Sequence, residues 1–137
     1  MSGARGSAFL PLLKKAAQGS AQKGMSCTKA AIVNMSSEAG SIQNVYNWQL
    51  GQVISYRCSK AALNMLTKCQ SLGYAGDGIL SIVVHPGWVQ TDMGYSLSPE
   101  APLTADASVR GILNVLTLLS EKDNGAFVDQ EGKVLPW

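Results

Sequence analysis

The sequence predicts an α/β protein built around a parallel sheet. Three short apolar segments, Ala30 to Met35, Ile79 to Val84 and Ala126 to Val128, alternate along the chain with two long amphipathic segments. Strands without a polar face are typical of sheets covered by helices on both sides, and this order of elements implies parallel pairing. The chain has 137 residues, 46% of them apolar, so we expect a single domain over residues 1–137 with its own core.

The helices follow from periodicity and from their end signals. Ala8 to Ala17 is expected to form a short helix with Pro11 in its first turn, where the missing N–H costs little. The strongest signal runs from Tyr56 to Leu72, where apolar residues recur at three- and four-residue steps. Ser55 is its expected N-cap and Gly73 its expected stop.

The remaining segments complete the alternation. Thr104 to Glu121 is the second long helix, capped by Thr104, and Ser36 to Ser55 is expected to be an irregular loop. The glycines from Gly73 to Gly78 lie between a helix and a strand, which is the reverse of the order in a dinucleotide-binding turn. They therefore indicate a helix stop followed by a turn.

Composition excludes several function classes. Eleven Lys and Arg face nine Asp and Glu, and Lys14-Lys15 is the only basic doublet, so nucleic acid is not an expected partner. No apolar run approaches the roughly 18 residues of a membrane span, and the start lacks a signal-peptide hydrophobic region. Three cysteines without a C-x-x-C spacing and a single histidine exclude a zinc site, so we expect no metal and a cytoplasmic protein.

Low charge suggests that part of the surface is covered. Only 15% of the residues are charged, against roughly 25% in an ordinary soluble domain. The apolar length of the helix from Tyr56 to Leu72 agrees with a covered face on that helix.

Tyr56 and Lys60 are the first residues that indicate chemistry. Four positions apart on one helix, they face the same way, and an ammonium beside a phenol lowers the phenol pKa from about 10. A tyrosine tuned in this way can exchange a proton near neutral pH. By itself the pair also fits an ordinary surface contact on a helix.

The neighbouring segments strengthen the functional interpretation. Ser36 and Ser37 follow the first predicted strand, and Pro86-Gly87 follows the second. Ligands of open α/β sheets bind outside the carboxyl ends of the strands. The serines, the start of the Tyr56 helix and the Pro-Gly turn are therefore expected to meet at one edge.

Three linked motifs identify a family. The stretches N-x-S-S-x-x-G (Asn34 to Gly40), Y-x-x-x-K (Tyr56 to Lys60) and P-G-x-x-x-T (Pro86 to Thr91) resemble the short-chain dehydrogenase/reductase family in type and order. The phrase HPGWVQTDM is most similar to the carbonyl reductases related to sniffer and C-factor proteins. The resemblance implies a partial Rossmann-type doubly wound parallel sheet, corresponding to the carboxyl-terminal half of that fold.

The resemblance also implies catalytic roles. Tyr56 would be the general acid that protonates a substrate carbonyl as hydride arrives, and Lys60 would lower the pKa of Tyr56 and bond the nicotinamide ribose. Ser37 would polarise the carbonyl in the manner of an oxyanion-stabilising donor. Ser36 is the alternative for that role and is expected to be a strand-end hydroxyl instead.

The implied cofactor is NADP, with NAD possible, and the implied partner is a small-molecule carbonyl substrate. Val89 would pair with the nicotinamide carboxamide through its backbone, and Thr91 would reach the carboxamide or the pyrophosphate. The cofactor-binding set implied by the resemblance comprises Tyr56, Lys60, Pro86, Gly87, Val89 and Thr91.

The sequence departs from the family pattern in two places. The family's T-G-x-x-x-G-x-G turn, which cradles the cofactor phosphates, and its N-N-A-G stretch do not occur among these residues. The chain is therefore expected to be the carboxyl-terminal half of such an enzyme, and a catalytically inactive fragment or partner-binding isoform is the alternative to an active reductase. Tyr56 also follows Ser37 by 19 residues (56 − 37), a longer spacing than usual, which places an insertion at Gln43 to Gln52.

Several other residues have open interpretations. His85 is expected to be a packed strand-end residue rather than a base. Cys58 and Cys69 are expected in the core, the usual place for a free cysteine. Three large side chains after the second strand fit either an apolar substrate wall, a lid or plain packing, namely Trp88, Met93 and Tyr95.

Overall fold

Three parallel strands form one sheet in the computed structural model, which describes residues 2–49, 51–97 and 101–137. The strands, in sheet order, are β1 (Ala31–Met35), β2 (Leu80–His85) and β3 (Phe127–Asp129). The register pairs Val33 with Ile82 and Val84 with Val128. The partial doubly wound α/β fold predicted from the sequence is confirmed, each strand lying within one residue of its expected start.

Within the described residues, four α-helices connect or flank these strands. Their bounds are α1 (Ser2–Gly19), α2 (Ile54–Gly73), α3 (Asp92–Leu97) and α4 (Ala105–Leu118), with short 3₁₀ helices at Glu38–Gly40, Ala75–Asp77 and Glu121–Asp123. None of the helices in the described ranges is long and apolar enough to cross a membrane.

Helices lie on both faces of the sheet because successive strand residues point to opposite sides. On one face, Val115 and Leu119 from the region of α4 pack against Leu80, Ile82 and Val84 of β2. On the other face, Ala17 of α1 packs near Ile32 and Ile79, and α2 lies over the same side. β2 is buried along its length, whereas β1 is half-exposed because it has a strand neighbour on one side only.

The contact between α2 and the sheet is polar. The Asn34 amide donates to Thr67 Oγ1 at 2.9 Å and to Gln70 Oε1 at 3.0 Å. The buried residues of α2 are Asn64, Thr67, Gln70 and Ser71. The apolar positions that predicted this helix therefore point away from the sheet, and Met65 and Leu72 are 64% and 74% exposed.

Two helix predictions need correction. Pro11 lies in the interior of α1 rather than in its first turn, because the helix extends back to Ser2 and proceeds without the hydrogen bond that a proline cannot donate. Cys58 and Cys69 are exposed, not buried, because they lie off the polar face by which α2 packs.

Candidate active site

Two adjacent serines follow the carboxyl end of β1, and their surroundings differ. Ser36 is buried. Its N–H donates to the Val84 carbonyl at 2.8 Å, and its hydroxyl donates to Asn64 Oδ1 at 2.6 Å. Ser37 is half-buried and lines a cleft, where its oxygen accepts the Ala39 N–H at 3.1 Å and caps the following 3₁₀ helix. The hydroxyl hydrogen of Ser37 remains available to a ligand. The structure thus separates a packing serine from a cleft serine.

A glycine brings the start of α2 against this strand end. A Cβ atom on Gly40 would lie 2.8 Å from the main-chain carbon of Lys60. Any other residue would push helix and strand end apart, because a gap that short cannot hold a side-chain carbon. Gly40, the last residue of the N-x-S-S-x-x-G stretch, therefore sets the distance between Ser37 and the Tyr-Lys pair.

The helix begins two residues before the expected start. Val53, with φ of 25°, is the N-cap, and Ser55, the predicted cap, lies inside the helix. The Val53 carbonyl accepts the Arg57 N–H at 3.0 Å, so Tyr56 is in the first turn. The prediction failed because no side-chain cap marks this helix start.

Tyr56 and Lys60 lie close together in the first turns of α2. Tyr56 is half-buried and lines the cleft. The Lys60 ammonium donates to the Met35 carbonyl at 3.1 Å and lies 5.6 Å from the centroid of the Tyr56 ring. Burial lowers the pKa of Lys60. The hydrogen bond to the Met35 carbonyl holds the Lys60 ammonium beside the Tyr56 ring.

The turn after β2 forms the opposite wall. Ser108 of α4 donates to the Pro86 carbonyl. Gly87 has a φ of +84°, and a Cβ there would collide with Leu103. Val89 forms a parallel bridge with Leu103, so this wall is fixed by main-chain contacts.

Thr91 has a structural partner. Its hydroxyl oxygen accepts the Gly94 N–H at 3.2 Å and thereby caps α3, a helix that the sequence analysis did not predict. The Thr91-Asp92 pair was the available signal, because a hydroxyl N-cap followed by an acidic first-turn residue is typical of a helix start. Thr91 also lines the cleft.

The cleft has a volume of about 620 Å³ and is mainly apolar. Trp88 and Met93 line it, and the Trp88 indole N–H donates to the Gly94 carbonyl at 3.1 Å. The side chain of Tyr95 lies outside the described residues. Tyr46, Asn47 and Gly51, within the insertion expected at Gln43 to Gln52, also line the cleft.

His85, at the end of β2, also faces the cleft. Its Nε2 lies 3.9 Å from the Glu38 carboxylate. Burial lowers the pKa of His85, while the carboxylates of Glu38 and Asp129 oppose that shift. The side chain is largely buried, in agreement with a packed strand-end residue. In the described part of the chain, no group of three His, Cys, Asp or Glu side chains could hold a metal ion.

The chemistry of the donors fits the nicotinamide end of a dinucleotide. A cleft of about 620 Å³ lies in the range of small-molecule sites. The Lys60 ammonium, beside the ring of the cleft residue Tyr56, is a donor for ribose hydroxyls, and the Pro86 to Val89 turn lines the cleft with main chain for an amide. Both lie at the carboxyl edge of the sheet, where the fold places ligands.

Comparisons with known proteins agree with this geometry. Residues 12–102 match the model of the family described as short chain dehydrogenase. The NADPH-bound carbonyl reductase from chicken fatty liver is similar in structure, with a TM-score of 0.88 and 61% identity over 96% of this chain and 51% of that one. Carbonyl reductase Sniffer of D. melanogaster is similar with a TM-score of 0.88 and 43% identity, and the match covers 96% of this chain and 51% of that one.

A curated relative extends the comparison. C-signal of Myxococcus xanthus is 45% identical over 87 residues, which cover 64% of this chain and 51% of C-signal. The chain thus spans about half the length of the relatives that it matches.

Proposed function

The chain belongs to the short-chain dehydrogenase family, and on that premise we propose that its cleft is the carbonyl-reducing site of an NADP-dependent reductase. The observation that carries the proposal is that Ser37 and Tyr56 both line the cleft, while the Lys60 ammonium lies 5.6 Å from the centroid of the Tyr56 ring. The Pro86 to Val89 turn lines the same cleft. NADP rather than NAD is supported by the NADPH bound to the similar chicken reductase.

Each of the three side chains has a separate task in this proposal. NADPH, when bound, supplies the hydride that adds to the substrate carbonyl carbon. Ser37 donates a hydrogen bond to the carbonyl oxygen, which it can do because its own oxygen already accepts from Ala39. Tyr56 gives its phenolic proton to that oxygen, which completes the alcohol, and the Lys60 ammonium stabilises the phenolate left behind.

The substrate class follows from the lining of the cleft. Aromatic and aliphatic side chains dominate its walls, among them Met35, Val53, Trp88, Met93 and Ile112. We therefore propose a mainly apolar carbonyl compound, and aromatic aldehydes are suitable probes.

The test uses the purified chain with millimolar NADPH and 4-nitrobenzaldehyde, followed by the loss of reduced-cofactor absorbance. Tyr56→Phe keeps the ring and removes the proton, so the rate should fall by about 10²–10⁴-fold with an unchanged melting temperature. NADH in place of NADPH tests the cofactor preference. Equal rates for wild type and Tyr56→Phe would contradict the assignment.

A second candidate is a catalytically inactive form that binds a partner. It is favoured by the lack of a T-G-x-x-x-G-x-G turn among these 137 residues, because a pyrophosphate is usually held by amides at such a helix N-terminus. We accordingly expect NADPH to bind these residues more weakly than micromolar. In the inactive form, aldehyde reduction would stay at the buffer rate even at millimolar NADPH.

We further propose that the chain forms a homo-oligomer through α1 and α2. Large apolar side chains on these helices are exposed, among them Phe9, Leu12, Met65 and Leu72, and both helices lie on the same side of the sheet. Light scattering at micromolar concentration should give at least twice the chain mass, and Met65→Lys should lower it. A monomeric wild type would contradict this proposal.

Three free thiols favour a reducing compartment, which supports a cytoplasmic location.

A further inference from the structure

The guanidinium of Arg57 forms hydrogen bonds with a loop that lines the cleft. The cleft loop, residues 43–49 and 51–53, precedes α2, and its residues Tyr46, Asn47 and Val53 line the cleft. The Arg57 guanidinium in the first turns of α2 donates to three carbonyl groups of this loop. They are those of Tyr46 at 2.8 Å, Gly51 at 3.1 Å and Gln52 at 3.2 Å.

The loop has an unfavourable conformation that needs such a partner. Asn47 and Val53 have φ angles of 52° and 25°, in the left-handed region, and Val53 is β-branched. Three carbonyl oxygens that point at one place also repel one another unless a cation lies between them. Arg57 supplies the cation and a planar set of donors that a lysine lacks.

The position of Arg57 on the helix is also unfavourable in isolation. A positive charge near a helix N-terminus opposes the helix dipole, and α2 has neither a side-chain cap nor an acidic residue in its first turn. The guanidinium is therefore stabilised by the loop rather than by the helix. It also lies 5.7 Å from the centroid of the Trp48 ring, which adds a cation–π contact.

We propose that Arg57 is a positioning residue that holds the cleft loop as a substrate wall and so selects bulky carbonyl compounds. The proposal rests on the proposed reductase function for its substrate, but not for the loop contact itself. Arg57 is the neighbour of Tyr56, so the same turn of α2 presents the proton donor and holds the cleft loop. A large substrate would contact this wall, whereas a small one would not reach it.

Hydrogen–deuterium exchange of the full chain tests the loop contact without any need for activity. Arg57→Met keeps the aliphatic stem and removes the donors, and we expect exchange in residues 43–53 to rise about tenfold or more. Arg57→Lys should restore part of the protection. Arg110→Ala is the matched control, because the exposed Arg110 side chain forms a salt bridge with the exposed Asp106 carboxylate on its own helix. Wild-type exchange of the loop in Arg57→Met would overturn the proposal.

Kinetics test the selectivity. With saturating NADPH, Arg57→Met should raise KM for 4-nitrobenzaldehyde about tenfold while kcat changes less than about threefold. KM for the small diketone 2,3-butanedione should stay constant, and Arg57→Lys should recover part of the loss. A uniform fall in kcat for both substrates would show a merely structural role and overturn the proposal. If wild type reduces neither compound, the reductase function fails, and the exchange measurement still decides whether Arg57 holds the loop.

Discussion

The two long helices pack on the sheet by opposite chemistry. α4 buries apolar side chains such as Val115 against β2, and Leu119, just after its end, joins the same cluster. α2 buries amides and hydroxyls, such as Asn64 and Thr67, and exposes Met65 and Leu72. The difference shows that an apolar stripe on a helix need not face the core of its own chain.

The polar packing of α2 also connects the helix to the site. Asn64 accepts the Ser36 hydroxyl and donates to the Gly40 carbonyl at 3.3 Å. These bonds fix the strand end from which Ser37 projects. Hydrogen bonds have narrow angular preferences, so such a contact sets the orientation of α2 more sharply than an apolar contact would. The helix that carries Tyr56 and Lys60 is thereby aligned with the serine.

The largest expected effect separates the two serines. Ser37→Ala removes a donor to the substrate carbonyl and should lower turnover by about 10²–10³-fold, while the loss of its cap on the Ala39 N–H should cost about 1 kcal/mol of stability. Ser36→Ala leaves the buried Asn64 oxygen without its donor and should cost about 1–3 kcal/mol of stability. Urea denaturation and aldehyde reduction measure both effects. The reverse pattern would mean that Ser36 is the site serine.

Side-chain truncation tests the difference in packing between α4 and α2. Val115→Ala in α4 should lower the free energy of unfolding by about 1–3 kcal/mol, because the side chain is buried in the core cluster. Met65→Ala in α2 should change it by less than about 0.5 kcal/mol under conditions where the chain is monomeric. Urea unfolding at low protein concentration measures both variants. A large loss for Met65→Ala would place that side chain in the core of its own chain.

The smallest expected effect is a pH dependence at the end of β2. Burial lowers the pKa of His85 in the folded state below the value of 6.5 for an unperturbed histidine. The unfolded chain therefore takes up a proton at higher pH than the folded one. The contribution of the neutral His85 to the free energy of unfolding is fully present above pH 6.5. It declines as the pH falls through 6.5 towards the lower pKa of the folded state.

The variant His85→Gln lacks this titration. Melting temperatures between pH 8 and pH 5 should fall more for wild type than for His85→Gln. Parallel curves for the two proteins would show that His85 protonates equally well in both states. Glu38→Gln serves as a control, because removal of the carboxylate at 3.9 Å should lower the histidine pKa further and steepen the decline.

Local sequence signals were sufficient wherever the cause was local. Thr104 caps α4 through the Ala107 N–H at 3.1 Å, as predicted. The end of α2 at Gly73 and the left-handed turn residue Gly78, with φ of +73°, also agree with the prediction. The start of α2 was wrong because its N-cap, Val53, has no side-chain signal, and the loop before it is fixed by Arg57 from further along the chain.

The sequence by itself determined the order of the elements, the parallel sheet and the residue types at its carboxyl edge, because these depend on periodicity and on motifs a few residues long. Only the tertiary structure decided which face of α2 meets the sheet. Helical periodicity defines an apolar face but not what covers it, and here Asn34, Thr67 and Gln70 supply hydrogen bonds across 33 or more positions of sequence. The tertiary structure likewise decided that Tyr46, Asn47, Gly51 and Val53 line the cleft, since this depends on distances between segments that no local pattern records.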